Sequence, residues 1–312
     1  MRIVFMGTPL AAVPSLERMI AAGHEIVAVY SQPDRPSGRG NRITFSPVKQ
    51  FAVDHGLLVM QPAKVRTDEA AHTFRSHAAD VAVVVAYGRI LPDSFLSAFH
   101  YGAVNVHFSL LPKYRGAAPV NWAIVNGETE TGVTTMKMDS GLDTGDILMQ
   151  RSTPIGSNEN AVELMEGLSM IGADLLEETL VQIDRIEPQV QDHAKSTLAP
   201  LMSKEDGRVD WKMTACEIAN RIRGFQPFPT AFTSFRGARL TLWQGSEAAA
   251  DELETNNVPG SIVSAAGDVL VVQCGGRTLL QVTEAQPEGK RRMSVRDLIN
   301  GIRPVNGEIL GQ

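Results

Sequence analysis

The run Val81-Ala82-Val83-Val84-Val85-Ala86 is continuously apolar and dominated by β-branched residues. A strand of that kind has no face to show to water, so it belongs in a sheet covered on both sides, the arrangement of parallel α/β folds. The amino terminus agrees. Ile3-Val4-Phe5-Met6 is a short apolar run that stops at Gly7-Thr8-Pro9, a helical pattern through Leu16, Met19 and Ile20 ends near Gly23, and Ile26-Val27-Ala28-Val29-Tyr30 follows. Strand, turn, helix and strand in this order make a βαβ unit. The series continues with Ala103-Val104-Asn105-Val106-His107, a helix over residues 119–125, a strand over 132–138 and a long helix over 161–184. Residues 1–188 read as one α/β domain.

Periodicity fades between Pro188 and Gly207, and residues 189–207 read as a linker. Beyond it comes one amphipathic helix over 214–223. The character then changes to short alternating runs at 231–235, 240–243, 260–263, 269–274 and 279–282. Short strands parted by glycine turns suggest a small β-barrel over residues 208–312. A chain of 312 residues exceeds one typical hydrophobic core, which also favours two domains. The two cysteines, Cys216 and Cys274, form neither a disulfide framework nor a metal motif, so a reducing cytoplasm fits best. No apolar run approaches the about 18 residues that would span a membrane. A soluble, cytoplasmic monomer is expected, with no membrane partner.

The net charge of −6 is unevenly spread. Residues 203–312 hold 13 basic and 13 acidic residues, leaving 16 basic and 22 acidic in residues 1–202, so the whole acidic excess lies in the first part. Within that acidic part, residues 31–50 carry Arg35, Arg39, Arg42 and Lys49 against Asp34 alone. This local basic segment reads either as a solvated loop or as a grip for a polyanion.

Two polar clusters stand in otherwise sheet-like sequence. Alternation along a strand puts Asn105, His107 and, if the strand persists, Ser109 on one side, with Val104 and Val106 on the other. Polar side chains near a strand's carboxyl end sit where open parallel sheets bind ligands. Asp143 lies in Gly141-Leu142-Asp143-Thr144-Gly145-Asp146, whose glycines leave room for close backbone approach; it also reads as a plain turn former. Gly7-Thr8-Pro9 lacks the further glycines of a dinucleotide fingerprint. No phosphate loop, HExxH or GxSxG is present, and the histidines do not pair at ligand spacing. A metal is not expected.

Taken together, Asn105-x-His107-x-Ser109-Leu110-Leu111-Pro112, Tyr114-Arg115-Gly116-Ala117-Ala118-Pro119 and Gly141-Leu142-Asp143-Thr144-Gly145-Asp146 resemble the signature of the folate-dependent formyltransferases. Gly7-Thr8-Pro9, residues 32–40, Ala86-Tyr87-Gly88 and residues 222–229 extend the likeness nearly end to end. Within that group it closely resembles the members that formylate methionine esterified to initiator tRNA. Phe108 departs from the small residue expected between the histidine and the serine, and should point away from His107.

The resemblance implies a Rossmann-like amino domain binding 10-formyltetrahydrofolate as formyl donor, and an OB-like barrel that helps to hold the tRNA. It implies Asn105, His107 and Asp143 as the catalytic trio, with Ser109, Leu110, Leu111, Pro112, Ala86, Tyr87 and Gly88 on the folate. In the expected reaction the amine attacks the formyl carbon directly. Asn105 and His107 donate to the oxyanion, and Asp143 takes the shed proton and holds His107 in its donor form. An acidic enzyme gripping tRNA needs local basic patches, for which Arg35, Arg39 and Arg42 on the loop and Lys290, Arg291 and Arg292 on the barrel are the candidates, with Arg296 and Arg303 nearby. Two other readings stay open: the same donor with an amino-sugar nucleotide or ribonucleotide amine as acceptor, and a non-catalytic RNA-binding protein on the same scaffold.

Overall fold

The computed structural model describes residues 1–37, 42–248 and 258–312, and the chain divides into two compact units. Met1–Pro119, Glu130–Pro154 and Met165–Ala199 form the first; Val120–Thr129, Ile155–Leu164 and Pro200–Gln312 form the second. The elements of the first half are β1 (Arg2–Gly7), α1 (Val13–Ala21), β2 (Glu25–Tyr30), the ribbon strands β3 (Arg35–Ser37) and β4 (Arg42–Thr44), α2 (Pro47–Asp54), β5 (Val59–Met60), α3 (Asp68–Ser76) and β6 (Val81–Val85). Then come α4 (Asp93–Leu96), β7 (Ala103–His107), β8 (Arg115–Gly116), α5 (Pro119–Val125), β9 (Glu130–Lys137), β10 (Ile147–Pro154), α6 (Ala161–Gln182) and β11 (Leu198–Ala199).

The large sheet of the first unit runs β10-β9-β7-β6-β1-β2-β5. Strands β2, β1, β6 and β7 are parallel, as the apolar runs predict, and so is the short β5, whereas β9 runs antiparallel to β7 and β10 antiparallel to β9. From β1 the chain builds outward to β2 and β5, then crosses back to β6 and β7. The carboxyl ends of β1 and β6 therefore flank a topological switch point, where such sheets open a ligand crevice.

Neighbours in a sheet row point the same way. One face carries Val4, Met6, Ala82, Val84 and Ala103 against Phe74 of α3 and Phe95 of α4, whose rings stack 4.0 Å apart. Each such buried ring contributes roughly 1.5–3 kcal/mol of transfer free energy. On the other face Gly172 of α6 lies against Val106, Phe108 and Val133. Phe108 thus sits on the α6 side, away from His107, as the sequence predicts, and the absent side chain at Gly172 makes room for it. Asn105 and His107 continue the face of Ala103, so the α3 side of the sheet turns from core to polar at the end of β7.

Residues 189–199, read from sequence as linker, pack within the first unit: β11 pairs in parallel with β8, and Thr197 O accepts from Arg115 N at 2.8 Å. Proline and glycine punctuation marks irregular backbone, which can still pack.

The second unit contains α7 (Ala215–Gly224), β12 (Ala231–Phe235), β13 (Ala238–Ala248), β14 (Ile262–Ala266), β15 (Val269–Gln273), β16 (Leu279–Pro287), β17 (Met293–Ser294) and α8 (Val295–Ile302). Its antiparallel sheet has the order β12-β13-β16-β15-β14, with β17 on β16. Helix α7 starts in a capping box, the Thr214 side chain accepting from Glu217 N while Glu217 accepts from Thr214 N. Its Ile218 and Ile222 join Trp211, Leu242, Val272 and Val282 in the core. The indole N–H of Trp211 donates to Thr233 Oγ1 at 3.0 Å, so this large ring is buried with its polar atom satisfied.

Candidate active site

Strand β7 ends at His107, and Asn105 lies two residues earlier on the same face. Asp143 arrives from the loop between β9 and β10, in the left-handed region at φ +52°. Its Oδ2 accepts from Gly116 N at 2.8 Å and stands 3.8 Å from His107 Nδ1, with 6% of the His107 side chain and 16% of the Asp143 side chain exposed. Two segments far apart in sequence thus converge on one imidazole. The other ring nitrogen, Nε2, is 2.9 Å from Tyr114 O. A carbonyl can only accept, so Nε2 carries a proton and Nδ1 is the atom turned toward Asp143. The Asn105 side chain, 8% exposed, makes no hydrogen bond among the described residues and is free to donate to a ligand.

Two devices position these groups. Gln191 Nε2 donates to Asp143 O at 2.9 Å and Gly145 O at 2.7 Å, while its Oε1 accepts from Arg115 Nε at 3.1 Å and Nη2 at 2.6 Å. This one amide ties the Asp143 loop to the strand that receives its carboxylate. Thr134, which pairs with His107 across the β7–β9 ladder, donates from Oγ1 to Ser109 O at 2.7 Å and accepts from Leu111 N at 3.1 Å. Gln150 Nε2 donates to Leu111 O and to Thr134 Oγ1, both at 2.9 Å. The turn from Ser109 to Pro112 is therefore held by side chains from β9 and β10. Sequence reasoning missed Gln191, Thr134 and Gln150; the alternation along β9 could have pointed to Thr134, but nothing local marks the other two.

The Thr134→Val variant keeps the shape and removes the hydroxyl, leaving Leu111 N without its partner. A loss of about 1–3 kcal/mol is expected, seen as a lower thermal midpoint. An unchanged midpoint would show that the turn holds itself.

The remaining expected residues are placed as follows. Ser109 is fully buried and its hydroxyl donates to Lys113 O at 2.6 Å, so it lies past the end of β7 rather than on it. Leu110 approaches β9 at Gly132. Ala86 and Gly88 are exposed at the end of β6, both with positive φ. Tyr87 between them turns its ring into the core, and its carbonyl accepts from Thr8 Oγ1 at 3.1 Å and Gln32 Nε2 at 3.0 Å. Burial pushes the Tyr87 phenol up from its ordinary pKa. Of Tyr87, then, the ring is structural and the backbone faces the crevice.

Arg35 is exposed, Arg39 lies outside the described residues, and of Arg42 only the backbone is described. Lys290 and Arg291 are exposed and carry no ion pair among the described residues. Arg292 pairs with Glu284 and lies over the Trp243 ring at 5.0 Å; Arg296 pairs with Asp268. Two cations of the second unit's basic patch are thus already matched by acids. No group of His, Cys, Asp and Glu among the described residues could hold a metal ion, and no described helix is long and apolar enough to cross a membrane.

Comparison with known proteins bears on this site. A family model described as formyl transferase matches residues 1–180, and one described as formyl transferase, C-terminal domain, matches residues 201–303. A methionyl-tRNA formyltransferase of Solibacter usitatus is 47% identical, covering 100% of this chain and 99% of that protein. One of Geobacter metallireducens is 46% identical, covering 99% and 98%. Among solved structures, an N-formyltransferase from Helicobacter canadensis in complex with folinic acid and dTDP-3-aminofucose superposes with a TM-score of 0.66 at 21% identity, covering 91% of this chain and 98% of that one. HypX from Aquifex aeolicus, in complex with tetrahydrofolic acid, gives 0.65 at 16%, covering 99% of this chain and 48% of that one. At these identities the structures speak to the fold alone.

Proposed function

Since the chain belongs to the formyl transferase family, we propose that it carries the formyl group of 10-formyltetrahydrofolate to the α-amine of methionine esterified to initiator tRNA. Relatives that match it from end to end bear the name methionyl-tRNA formyltransferase. The observation that carries the reading is the 3.8 Å approach of Asp143 Oδ2 to His107 Nδ1 at the end of the strand that bears Asn105.

The neutral amine attacks the formyl carbon and the carbonyl electron pair moves onto oxygen. Asn105 donates its amide N–H to that oxygen, and preorganised donors of this kind act where charge develops. His107 has committed Nε2–H to Tyr114 O, so its second donor is Nδ1, available when the ring carries both protons. Asp143 beside it balances that charge. This refines the sequence expectation: the backbone carbonyl of Tyr114, with Asp143, sets the donor form of the ring. Asp143 accepts the proton from the attacking nitrogen, directly or through one water, and returns it to N10 of the folate as the C–N10 bond breaks. The products are the N-formyl aminoacyl ester and tetrahydrofolate, with no covalent enzyme intermediate.

In this reading residues 1–188 hold the folate, through the turn of Ser109, Leu110, Leu111 and Pro112 and the backbone of Ala86, Tyr87 and Gly88. Residues 208–312 grip tRNA phosphate through Lys290 and Arg291, and the loop of Arg35, Arg39 and Arg42 reaches the acceptor end. The enzyme works as a cytoplasmic monomer. Purified protein supplied with 10-formyltetrahydrofolate should formylate methionyl initiator tRNA and leave an amino-sugar nucleotide untouched. Formylation of the sugar amine alone would remove the proposal.

A further inference from the structure

We infer that the cavity between Thr8 and Phe45 takes the terminal adenosine of the acceptor, with adenine on the open face of Phe45 and the ribose 2′-hydroxyl donating to Asp34. This rests on the formyl-transfer reading above and deepens it by naming where the acceptor's nucleoside goes.

The cavity measures about 440 Å³ and is lined by Thr8, Gln32, Pro33, Asp34, Phe45 and Gly88, among others. That volume lies within the roughly 300–1,000 Å³ of small-ligand pockets. Its place follows from the sheet register. Met6, Val84 and Asn105 occupy one row across β1, β6 and β7. Thr8 and His107 each lie two residues further along, at the same level and two strands apart, about 10 Å at the usual strand spacing. An amine held at His107 is joined to the nucleoside through one carbon and an ester, so the sugar must fall in the neighbouring space. The cavity also opens at the switch point between β1 and β6, on the crevice side of the sheet.

The chemistry of the wall fits a nucleoside. Phe45 is 41% exposed, and Lys49 Nζ lies 3.8 Å from the centroid of its ring. One face is thus backed by a cation and the other is available to a base, and aromatic side chains stack unpaired bases in this way. Asp34 Oδ2 accepts from Lys49 Nζ at 2.5 Å, and Oδ1 accepts from Gln61 Nε2 at 2.9 Å. Lys49 donates in turn to Gln61 Oε1 at 2.8 Å, closing the set. Hydrogen bonds from Gln61 and Lys49 hold the Asp34 carboxyl below the usual carboxylate range, so it is an acceptor at neutral pH. Each oxygen keeps a further lone pair, and an acid just beyond the second strand is where nucleotide-binding α/β sheets receive a ribose hydroxyl. Gln32 is locked between Tyr87 O at 3.0 Å and Arg89 Nε at 2.9 Å, which fixes the floor.

The test changes the substrate first, so that folding of a variant cannot mislead. Initiator tRNA is charged by an acylating ribozyme with methionine as a 3′-ester, on a terminal adenosine or on a terminal 2′-deoxyadenosine, and kcat/KM is measured with wild type and Asp34→Ala. Wild type should lose about tenfold or more on removal of the 2′-hydroxyl, as expected for a hydrogen bond to a charged group. Asp34→Ala, which leaves no acceptor for the hydroxyl, should lose a similar factor on the normal substrate and then treat the two termini alike. Phe45→Leu should raise KM for the tRNA about tenfold and leave KM for the folate unchanged. Equal use of both termini by wild type, or a distinction that persists in Asp34→Ala, overturns the inference. Absence of any formylation of the normal substrate by wild type would overturn the underlying reading instead.

Discussion

Replacing His107 by alanine is expected to lower kcat for formyl transfer by about 10²–10³-fold, and Asn105→Ala by a similar factor, as the loss of one oxyanion donor does in related acyl transfers. The two groups serve one oxygen from one strand, so the double variant should lose less than the product of the single losses. Asp143→Asn should lose at least as much, because an amide cannot take the proton of the attacking nitrogen. It retains an oxygen for Gly116 N, so the loop itself should stay in place. The measurement is single-turnover formylation of charged initiator tRNA, with folate affinity followed in parallel. Loss of kcat with unchanged folate affinity assigns the three groups to the reacting centre. Full turnover by the Asp143 variant would remove it as the base.

How much of this was legible beforehand varies by element. The covered strands β1, β2, β6 and β7 were readable because burial on both faces leaves a continuous apolar run, and the polar break at Asn105 and His107 stood out against it. Strand β10 was not: its exposure alternates along Ile147–Pro154, it lies at the edge of the sheet, and it carries Gln150, Arg151 and Ser152. The antiparallel direction of β9 was equally hidden, since orientation depends on which neighbour a strand finds and not on its own residues. In the site, the pairing of His107 with Asp143 followed from motif likeness, but the bond of Nε2 to Tyr114 O could not. Main-chain carbonyls leave no mark in a sequence. Gln191, nearly fifty residues beyond the loop it holds, is silent for a different reason: it sits in a stretch with no periodicity, where only a fold can give it a partner.

Gly145→Ala tests the loop that carries Asp143, and it should cost activity together with stability. A Cβ at this position would stand 1.8 Å from Lys137 O, 2.9 Å from Lys137 C and 3.3 Å from Asp139 N. All three are backbone atoms at the end of β9, so no side chain can swing aside. The loop is also pinned from outside, with Lys137 N donating to Asp146 O at 2.9 Å and Gln191 Nε2 to Gly145 O at 2.7 Å. The chain must lift away from β9, stretching both bonds and drawing the Asp143 carboxylate off Gly116 N and His107. Overpacking of this kind costs about 1–3 kcal/mol, a shift of several degrees in the thermal midpoint. A displacement of about 1 Å at the base costs about 10²-fold in rate. Two further glycines calibrate the result. Gly141→Ala meets the Thr144 side chain, which can rotate at the loss of its bonds to Asp139, so its cost should be smaller. Gly167→Ala, inside α6 with nothing within 4 Å, should stabilise by about 0.5–1 kcal/mol and leave turnover alone. If Gly145→Ala kept wild-type kcat while its midpoint fell, the base would have to act from a position the loop does not fix, and Asp143 would lose its assignment.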